Sequence, residues 1–447
     1  MKKSLTVIGG GISGLSLAAF AHPHFSLQLL ESSSKIGGII QNSNEDGSVR
    51  DHAANGWLSG EESVEELLSL LQIQDQVITA NTDEGTRWIV KNGRLFALNP
   101  KLLLSSLLSP LARLRLCAEP FIKAQSEQIE ESLAEFGTRR LGKGSLDQLF
   151  TPFAAGIFAC RPEELSVPAA FPRLWSMEQK HGSLLKAGLA RDKSKPAPVL
   201  TTLRGGTSKL CESIASFLGD RVQLNTSALS VRKKGTRWIV ETEQEEIISD
   251  YLAITCPAQA QARLFSQSFP AISDLMNSIP YSSAVVVIME FNSDDFEATP
   301  FGFGALMNRQ EQESGILGTL FTSKIFPSHQ QKGRLSTRTI IGGSIRPEEI
   351  HKDSQDLAAM VIEHHRRLFG FRGDAPLHYD VIKHPMAIPR YQKGHLHIQQ
   401  EIRAFHQHHP TLRLSGNHLF GVAVKDCIRQ SKESVSDFIS HQENHHA

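Results

Sequence analysis

The sequence predicts a mixed α/β and α+β protein, in which one parallel-sheet domain is assembled from segments far apart in the chain. Three observations predict this fold class: an apolar strand with a glycine-rich turn opens the chain, alternating strands fill its middle, and a strand followed by a long amphipathic helix closes it. With 447 residues, 40% of them apolar and 21% charged, the chain is long enough to bury more than one core.

The first 31 residues carry the clearest chemical motif. "SLTVIGG" is typical of a short buried strand, and Gly9, Gly11 and Gly14 follow at G-x-G-x-x-G spacing, where the helix "ISGLSLAAFA" is expected to begin. The next strand, "SLQLLE", ends in Glu31. Glycines let the backbone approach a pyrophosphate, the helix N-terminus stabilises the anion, and the acid binds ribose hydroxyls. This order predicts a Rossmann-type dinucleotide site.

A second glycine pair favours FAD over NAD as the dinucleotide. Gly37 and Gly38 follow Glu31 in "SSSKIGGII", and a second close loop at this point is typical of flavoproteins but is not a general need of NAD dehydrogenases. We expect the FAD to be bound non-covalently, because Cys427 in "KDCIRQ" lacks the sequence context of flavin-linking cysteines.

Two later segments are predicted to return to this domain. "DYLAITCPA" predicts a further strand of its sheet, after a stretch with the alternation of a β-meander. "LRLSGNHLFGVAVKDCIRQSKESVSDFI" predicts a strand, a turn with Gly416 and Gly421, and a long amphipathic helix. The insertions between these segments are then expected to hold the substrate.

Charge and hydropathy limit the partners. Lys+Arg and Asp+Glu both number 47, so no overall field attracts nucleic acid, and we expect no nucleic-acid partner. Five scattered cysteines suit a reducing compartment, and we expect a cytoplasmic protein. Residues 95–124, rich in Leu with interspersed Lys and Arg, predict either a helical core segment or peripheral contact with the inner face of a membrane. The histidines of "HQHHP" have no second ligand cluster, so no metal site is predicted.

The central block resembles one family. "FGTRRLGKGSLDQLFTPFAAGIFACRPEELSVPAAFPRLWSMEQKHGSLLKAG", "TLRGGTSKL", "GFGALM", "ILGTLFTSKIFP" and "GVAVKDC" are similar to the protoporphyrinogen oxidase family of porphyrinogen-oxidising flavoenzymes. The resemblance runs from Leu5 to about Ile439. Related amine oxidases and carotene desaturases share only the two ends of this pattern, so the central block is the informative part.

The resemblance implies an FAD enzyme that removes six electrons from a porphyrinogen in haem synthesis, with oxygen or another electron acceptor. Protoporphyrinogen IX is the expected substrate and coproporphyrinogen III the alternative. An amine oxidase or desaturase on the same fold is a further alternative. An amine oxidase would be favoured by an aromatic cage that faces the flavin, but the chain has only four Tyr and four Trp. A non-enzymatic flavin-binding protein is the remaining one.

The family's fold has a Rossmann-type FAD domain, a substrate domain with a sheet, and a mostly helical domain that often rests on a membrane. Here the FAD domain is expected to comprise residues 1–80, 206–260 and 396–447. Residues 81–205 would form the helical domain with part of the substrate domain, and residues 261–395 the substrate-binding domain.

The resemblance also implies site residues, with the chemistry centred on the flavin and no certain catalytic side chain. The expected cofactor-binding residues are Gly9, Gly11, Ile12, Ser13, Gly14, Glu31, Gly37, Gly38, Asn55, Gly56, Val222, Gly416, Asn417, Val422, Ala423 and Val424. The expected substrate-binding residues are Asn55, Gly156, Phe303, Gly304, Leu306, Leu320 and Ile340, of which the two Leu and the Ile would sandwich the ring. Asn55 stands where the family commonly has Arg or a polar residue for a propionate, so the expected contact is a neutral hydrogen bond.

Overall fold

The computed structural model describes residues 2–45, 47–83, 85–99, 105–126, 129–190, 197–298 and 300–444. The strands, in chain order, are β1 (Ser4–Ile8), β2 (Ser26–Leu30), β3 (Asn42–Glu45), β4 (Ser48–Asp51), β5 (Trp57–Leu58), β6 (Val77–Thr79), β7 (Arg87–Lys91), β8 (Arg94–Ala97), β9 (Leu200–Leu203), β10 (Val222–Gln223), β11 (Ala228–Lys234), β12 (Arg237–Thr242), β13 (Glu246–Ser249), β14 (Tyr251–Ile254), β15 (Tyr281–Asn292), β16 (Gly304–Met307), β17 (Ile316–Leu320), β18 (Arg334–Gly342), β19 (His378–Pro389) and β20 (Leu412–Leu414). The helices are α1 (Ile12–Ala21), α2 (Glu62–Leu71), α3 (Pro110–Cys117), α4 (Leu133–Leu141), α5 (Lys143–Ser145), α6 (Thr151–Phe158), α7 (Val167–Ala170), α8 (Pro172–His181), α9 (Leu184–Leu189), α10 (Ser208–Leu218), α11 (Ala258–Phe265), α12 (Pro270–Asn277), α13 (Thr322–Ile325), α14 (Ser354–Phe369), α15 (His395–His408) and α16 (Val424–Asn444).

A five-stranded parallel sheet, in the order β10-β2-β1-β14-β20, collects strands from distant parts of the chain. Its central strands are apolar on both faces, as strands covered on both sides must be. Leu5 and Val7 pack with α1, α2, α10 and α16, whereas Ile8 packs with α11, α15 and the antiparallel sheet β11-β12-β13. The mixed α/β and α+β fold class predicted from the sequence is confirmed, while the domain boundaries drawn from it stay a prediction.

A second, seven-stranded sheet runs in the order β19-β15-β18-β17-β16-β7-β8 and is antiparallel except for the β16–β7 pair. Helix α14 covers one face of this sheet, where Val285, Val287 and Phe291 are buried. On the other face of this sheet, the apolar side chains of Leu306, Leu320 and Ile340 are only half-buried. We call the part of this face formed by the following residues the open face: Leu306, Gly318, Leu320, Arg338 and Ile340.

The segment 95–124 begins in β8 and includes α3, the first helix of the helical region α3 to α9, and its residues 100–104 lie outside the described residues. Leu107 and Leu108 are buried, but Leu111, Leu114 and Phe121 are 79%, 69% and 88% exposed. The segment therefore contributes to a core before α3 and exposes apolar side chains from α3 onwards. Among the described residues, no helix has the length and apolar character that crossing a bilayer requires.

Candidate cofactor and substrate site

The three motif glycines, two in the turn between β1 and α1 and one inside α1, have three different roles. Gly9 has a φ of +107°, and a Cβ there would lie 2.9 Å from the backbone nitrogen of Cys256. A Cβ on Gly14 would lie 1.9 Å from the carbonyl oxygen of Gly9, so this glycine lets helix and strand pack closely. A Cβ on Gly11 would meet no atom of the described residues within 4 Å. Gly11 therefore borders open space, as expected where a ligand approaches the backbone.

Glu31, at the end of β2, is held in one orientation by the turn. The Gly10 N–H donates to its Oε2 at 2.6 Å, and the backbone N–H and hydroxyl of Ser33 each donate to its Oε1 at 2.8 Å. A carboxylate accepts about four hydrogen bonds in all. The Ser32 hydroxyl also donates to Oε1, at 3.4 Å, whereas among the described residues Oε2 accepts only the Gly10 N–H and therefore keeps accepting capacity for ligand hydroxyls at the edge of the turn.

The second glycine pair contacts the first turn directly. The Gly37 N–H donates to the Gly10 carbonyl oxygen at 2.7 Å, and Gly11 and Gly37 form an isolated parallel bridge. Gly37 and Gly38 have φ values of +97° and +59°, which L side chains rarely adopt. The two loops thus form one surface.

The loop between β20 and α16 is fixed by Tyr391. Its hydroxyl donates to the Asn417 carbonyl oxygen at 2.6 Å and accepts from the Gly421 N–H at 2.8 Å, while its ring stacks on His395 at 4.0 Å. Burial raises the pKa of Tyr391 well above its ordinary value, so this hydroxyl stays protonated and keeps both bonds. The N-terminus of α16 is held against α1 by the Ser431 hydroxyl, which donates to the Ser13 carbonyl oxygen at 2.8 Å.

These loops enclose a cavity of 680 Å³. Ten of the residues expected to bind the cofactor line it: Gly9, Gly11, Ile12, Ser13, Glu31, Gly37, Gly38, Asn417, Val422 and Val424. Sequence reasoning missed several further lining residues, among them Ala53, Ala54, Thr226, Thr255, Cys256, Arg263, Tyr281, Met386 and His418. Buried small and polar residues at strand ends give little signal without the fold.

The remaining expected cofactor residues are not among the residues that line the cavity: Gly14, Asn55, Gly56, Val222, Gly416 and Ala423. Val222 is in β10 and pairs with Leu29 in the parallel sheet. Gly56 packs on β9, since a Cβ there would lie 2.0 Å from the Thr201 carbonyl oxygen. Gly14, inside α1, serves helix packing, as described above.

The donors and the shape of this cavity fit a dinucleotide. The open space beside Gly11, the start of α1 and the oriented carboxylate of Glu31 are the features that a pyrophosphate and a ribose require. Burial raises the pKa of the lining thiols of Cys256 and Cys427 to about 12 and about 11, so both are protonated and poor nucleophiles at neutral pH.

The open face brings the ring-binding candidates together across three neighbouring strands. Leu306 in β16 pairs with Gly318 in β17, which pairs with Ile340 in β18. The next row of the same face contains Leu320 opposite Arg338. Because directly opposed residues lie on the same side of a sheet, these side chains form one surface.

Gly156 and Gly304 shape the edge of the open face. A Cβ on Gly156, in α6, would lie 2.9 Å from Leu306 Cδ2, so the absence of a side chain lets the helix contact the strand. Gly304 has a φ of +150° and its Cβ would lie 2.4 Å from the Thr319 carbonyl oxygen. Phe303 lies next to it, with the Arg87 guanidinium 4.7 Å from its ring centre.

Asn55 reaches the open face, but with a partner that sequence reasoning missed. The Arg338 Nη1 donates to the Asn55 Oδ1 at 2.6 Å. Asn55 directly follows Ala53 and Ala54, which line the cavity, and β19 of the second sheet contributes Met386 to the same lining. The cavity and the open face are therefore neighbours. The sequence contained one signal for Arg338: it is a charged residue in the strand pattern "STRTII", two positions before Ile340.

The histidines of "HQHHP" each have a structural partner. His406 Nε2 accepts the Leu414 N–H at 2.9 Å, and the His408 Nδ1 lies 2.8 Å from the Ala404 carbonyl oxygen. The His409 ring packs on Phe269 with centroids 5.2 Å apart. In the described part of the chain, no group of three or more His, Cys, Asp or Glu side chains is arranged to hold a metal ion.

The chain is similar to a family of flavoenzymes and to named relatives along nearly its whole length. Residues 12–438 match the family model described as flavin containing amine oxidoreductase. A relative from Arabidopsis thaliana, named protoporphyrinogen oxidase 2, chloroplastic/mitochondrial, is 28% identical and is covered to 95%, with 99% of this chain aligned. A relative from Staphylococcus aureus, named coproporphyrinogen III oxidase, is 26% identical, with 98% of this chain and 100% of the relative covered.

A solved structure has the same fold. It is a protein from Exiguobacterium sp. 255-15 that carries the provisional name protoporphyrinogen oxidase, with a TM-score of 0.84, 21% identity and 99% of each chain covered. At this identity the likeness concerns the fold alone.

Proposed function

The chain belongs to the flavin containing amine oxidoreductase family, and we propose that it is an oxidase that converts a porphyrinogen to a porphyrin in haem biosynthesis. FAD is its cofactor. The observation that carries the proposal is the full-length similarity to relatives named for porphyrinogen oxidation, which spans 98% to 99% of the chain in the first four of them. The apolar open face beside the dinucleotide cavity supports it.

We propose that the two glycine loops and the C-terminal loop hold FAD. Gly11 and the N-terminus of α1 would face the pyrophosphate, and Glu31 would accept from the ribose hydroxyls. Gly37, Gly38 and the stretch 417–424 would pass along the cofactor from the other side. The protonated, buried thiol of Cys427 supports non-covalent binding.

Bound in this cavity, FAD supplies an acceptor for two electrons at a time, so removal of six electrons and six protons from the substrate takes three rounds. The chain's own residues are proposed to orient the substrate. Leu306, Leu320 and Ile340 would hold the apolar macrocycle, and Gly156 lets Leu306 take its place at the edge. Their apolar surface excludes water from the reacting carbon. The pyrrole nitrogens of a porphyrinogen carry protons that they can lose without help from the protein. The proposed site therefore needs no side chain that acts as a catalytic acid or base.

We propose protoporphyrinogen IX as the substrate and oxygen as the acceptor. Coproporphyrinogen III is the second candidate, since relatives with either name are similarly close, at 28% and 26% identity. These substrates differ in carrying two and four propionates.

We further propose a cytoplasmic protein that contacts a membrane peripherally. The support is the group of exposed apolar side chains at α3, at α9 and between them, namely Leu111, Leu114, Phe121 and Leu189. Arg113, Arg115 and Lys123 accompany them in the sequence, as in interfacial segments. Sedimentation with anionic vesicles, compared for the protein and a Leu111→Ser/Phe121→Ser variant, tests this contact.

The proposed reaction is tested with the purified yellow protein. Each porphyrinogen is added anaerobically and then in air, while flavin absorbance, oxygen uptake and porphyrin fluorescence are followed. The proposal expects the flavin absorbance to bleach anaerobically and porphyrin to appear in air. If neither porphyrinogen bleaches the flavin while an amine does, the chain is an amine oxidase instead.

A further inference from the structure

Arg338 is a buried cation that forms no ion pair among the described residues. It is only 7% exposed, and its Nε has no hydrogen-bond partner in the same part of the chain. In the described part of the chain, its guanidinium makes one hydrogen bond, to the neutral amide of Asn55 at 2.6 Å, and no ion pair within 4.0 Å. Burial lowers the pKa of Arg338 to about 10, which still leaves it charged at neutral pH.

Other buried arginines of this protein do not share this situation. Arg50 pairs with Glu290 at 2.8 Å, and Arg140 pairs with Glu119 at 3.0 Å and with Glu178 at 3.1 Å. A buried charge is costly to the fold unless it is paired, which explains these partners. Arg338 differs in that its guanidinium keeps N–H groups without a paired carboxylate, and an anion from outside the chain would satisfy them.

Among the described residues, no neighbouring ionisable group forms an ion pair with Arg338. Asp51 is the acid whose charge acts on Arg338, but it lies beyond the 4.0 Å of an ion pair, and its Oδ1 accepts the Thr207 N–H at 3.0 Å. Burial raises the pKa of Asp51 to about 6, so the carboxylate is mostly ionised at neutral pH and acts on Arg338 only from a distance. His52 and His384 also face this region, and burial lowers the pKa of each, which keeps them neutral.

The position of Arg338 indicates what the anion belongs to. The side chain lies on the open face, directly opposite Leu320 and two residues before Ile340. Its partner Asn55 follows the cavity-lining Ala53 and Ala54. A flat molecule that covers the open face and extends towards the cavity would therefore place its outer edge next to Arg338.

We propose that Arg338 binds a carboxylate on the rim of the substrate and that Asn55 holds its guanidinium in place. This assignment rests on the proposed function, in which the substrate carries propionates. It also revises the role expected for Asn55, whose amide oxygen accepts from Arg338, so that its amide nitrogen is available as a second, neutral donor beside the cation. A guanidinium offers a planar pair of N–H groups to a carboxylate, which fixes the orientation of the macrocycle as well as its affinity.

The test compares a free acid with its ester, because the ester removes the charge and keeps the macrocycle. Binding is measured with protoporphyrin IX and its dimethyl ester, and turnover with the two matching porphyrinogens. Wild type is expected to prefer the acid in both measurements. Arg338→Gln is expected to weaken binding of the acid by about 10- to 100-fold, the range of a charged hydrogen bond, and to leave binding of the ester within about threefold. In turnover the loss should fall mainly on KM.

Three controls separate this role from a structural one. Arg334→Gln removes a partly exposed cation from the same strand, where it faces Glu290 at 3.5 Å, and should keep the preference for the acid. Arg338→Lys should recover part of the preference, since the charge returns without the planar fork. Arg338→Met should fold with normal FAD content, because among the described residues the guanidinium makes one hydrogen bond and no ion pair.

The outcomes distinguish the two proposals. Equal binding of acid and ester by wild type, or equal losses for both in Arg338→Gln, overturns the carboxylate assignment. If wild type binds the acid in preference to the ester through Arg338 but oxidises neither porphyrinogen, the proposed reaction fails while the carboxylate site stands.

Discussion

Leu306 and Gly156 lie in contact across the edge of the open face, so that a Cβ on the glycine would stand 2.9 Å from Leu306 Cδ2. Gly156 is inside α6, where alanine is favoured over glycine by about 1 kcal/mol. The atom in the way is the end of a flexible side chain, which can rotate away. Leu306 is therefore the part of the site that a substitution at Gly156 would displace.

We predict that Gly156→Ala lowers kcat while the fold stays intact. The helix gains about 1 kcal/mol and the overpacking costs about 1–3 kcal/mol, so the free energy of unfolding should change by no more than about 2 kcal/mol. Leu306→Ala should also lower kcat and raise KM, with normal FAD content. In the double variant the added methyl group has room, so the effect of Gly156→Ala should be smaller there. Strictly additive effects in this double-mutant cycle would contradict the contact.

We predict that Gly11→Ala removes flavin without destabilising the apoprotein. The backbone at Gly11 has φ −76° and ψ 179°, which alanine adopts easily, and no protein atom lies within 4 Å of the added Cβ. If the dinucleotide fills that space, affinity for FAD should fall roughly tenfold or more, the scale of an overpacked contact. Gly188→Ala, at a glycine in α9 with equally open surroundings, is the matched control and should keep its flavin. Normal FAD affinity in Gly11→Ala would place the pyrophosphate elsewhere.

We predict that Glu31→Ala weakens FAD binding by about 1–3 kcal/mol, the range of a hydrogen bond to a charged group. The carboxylate organises the Gly10 and Ser33 N–H groups as well as offering acceptors to the ribose. Equilibrium titration of the apoprotein by flavin fluorescence measures the loss. Glu65→Ala, on the exposed side of α2, should have no effect. An unchanged affinity in Glu31→Ala would mean that the ribose lies away from β2.

We predict that Glu178→Gln destabilises the helical region by roughly 3–5 kcal/mol, the cost of breaking a buried ion pair from one side. Glu178 and Arg140 are fully buried, and Glu178 also accepts from Arg139 at 2.8 Å. Urea denaturation provides the measurement. Glu212→Gln, which breaks the exposed pair with Lys209, should cost less than about 1 kcal/mol. A similar small loss in both variants would show that the network in the helical region is not a stabilising contact.

We predict that stability falls as the pH is lowered from 6.5 towards 4. Burial lowers the pKa of His365 and His395 to about 4, and that of His406 and His418 to about 3. Between these values and 6.5 the unfolded chain takes up protons that the folded chain does not, so each residue contributes a slope of up to about 1.4 kcal/mol per pH unit. Asp51 opposes them between its ordinary pKa and about 6, but as a single group.

Urea denaturation between pH 7.5 and 5, with FAD saturating, measures this dependence. His406→Gln, which can still accept the Leu414 N–H, should reduce the slope, and His397→Gln at an exposed site should not. A free energy of unfolding that does not change between these pH values would contradict the assignment of neutral buried histidines.

The sequence alone determined the parts of the site that are contiguous. Gly9, Gly11 and Gly14, the acid at Glu31 and the pair Gly37–Gly38 could be interpreted because each motif acts through its own backbone, whose conformation depends on neighbours only a few residues away. The fold class followed from the same local patterns, and the flavoprotein family is confirmed. Leu306, Leu320 and Ile340 needed a resemblance, since as isolated apolar residues they could equally have belonged to a core.

The tertiary structure alone decided which distant side chains meet. Arg338 and Asn55 are 283 positions apart in the sequence. Glu178 pairs with Arg139, which lies 39 positions earlier in another helix. Neither contact has a local signature, because it depends on strand register and helix packing, and a shift of one residue in β18 would turn Arg338 to the opposite face of the sheet. Asn55 is neutral, and the positive charge beside it belongs to Arg338 in that strand, since only the folded sheet brings the two residues together.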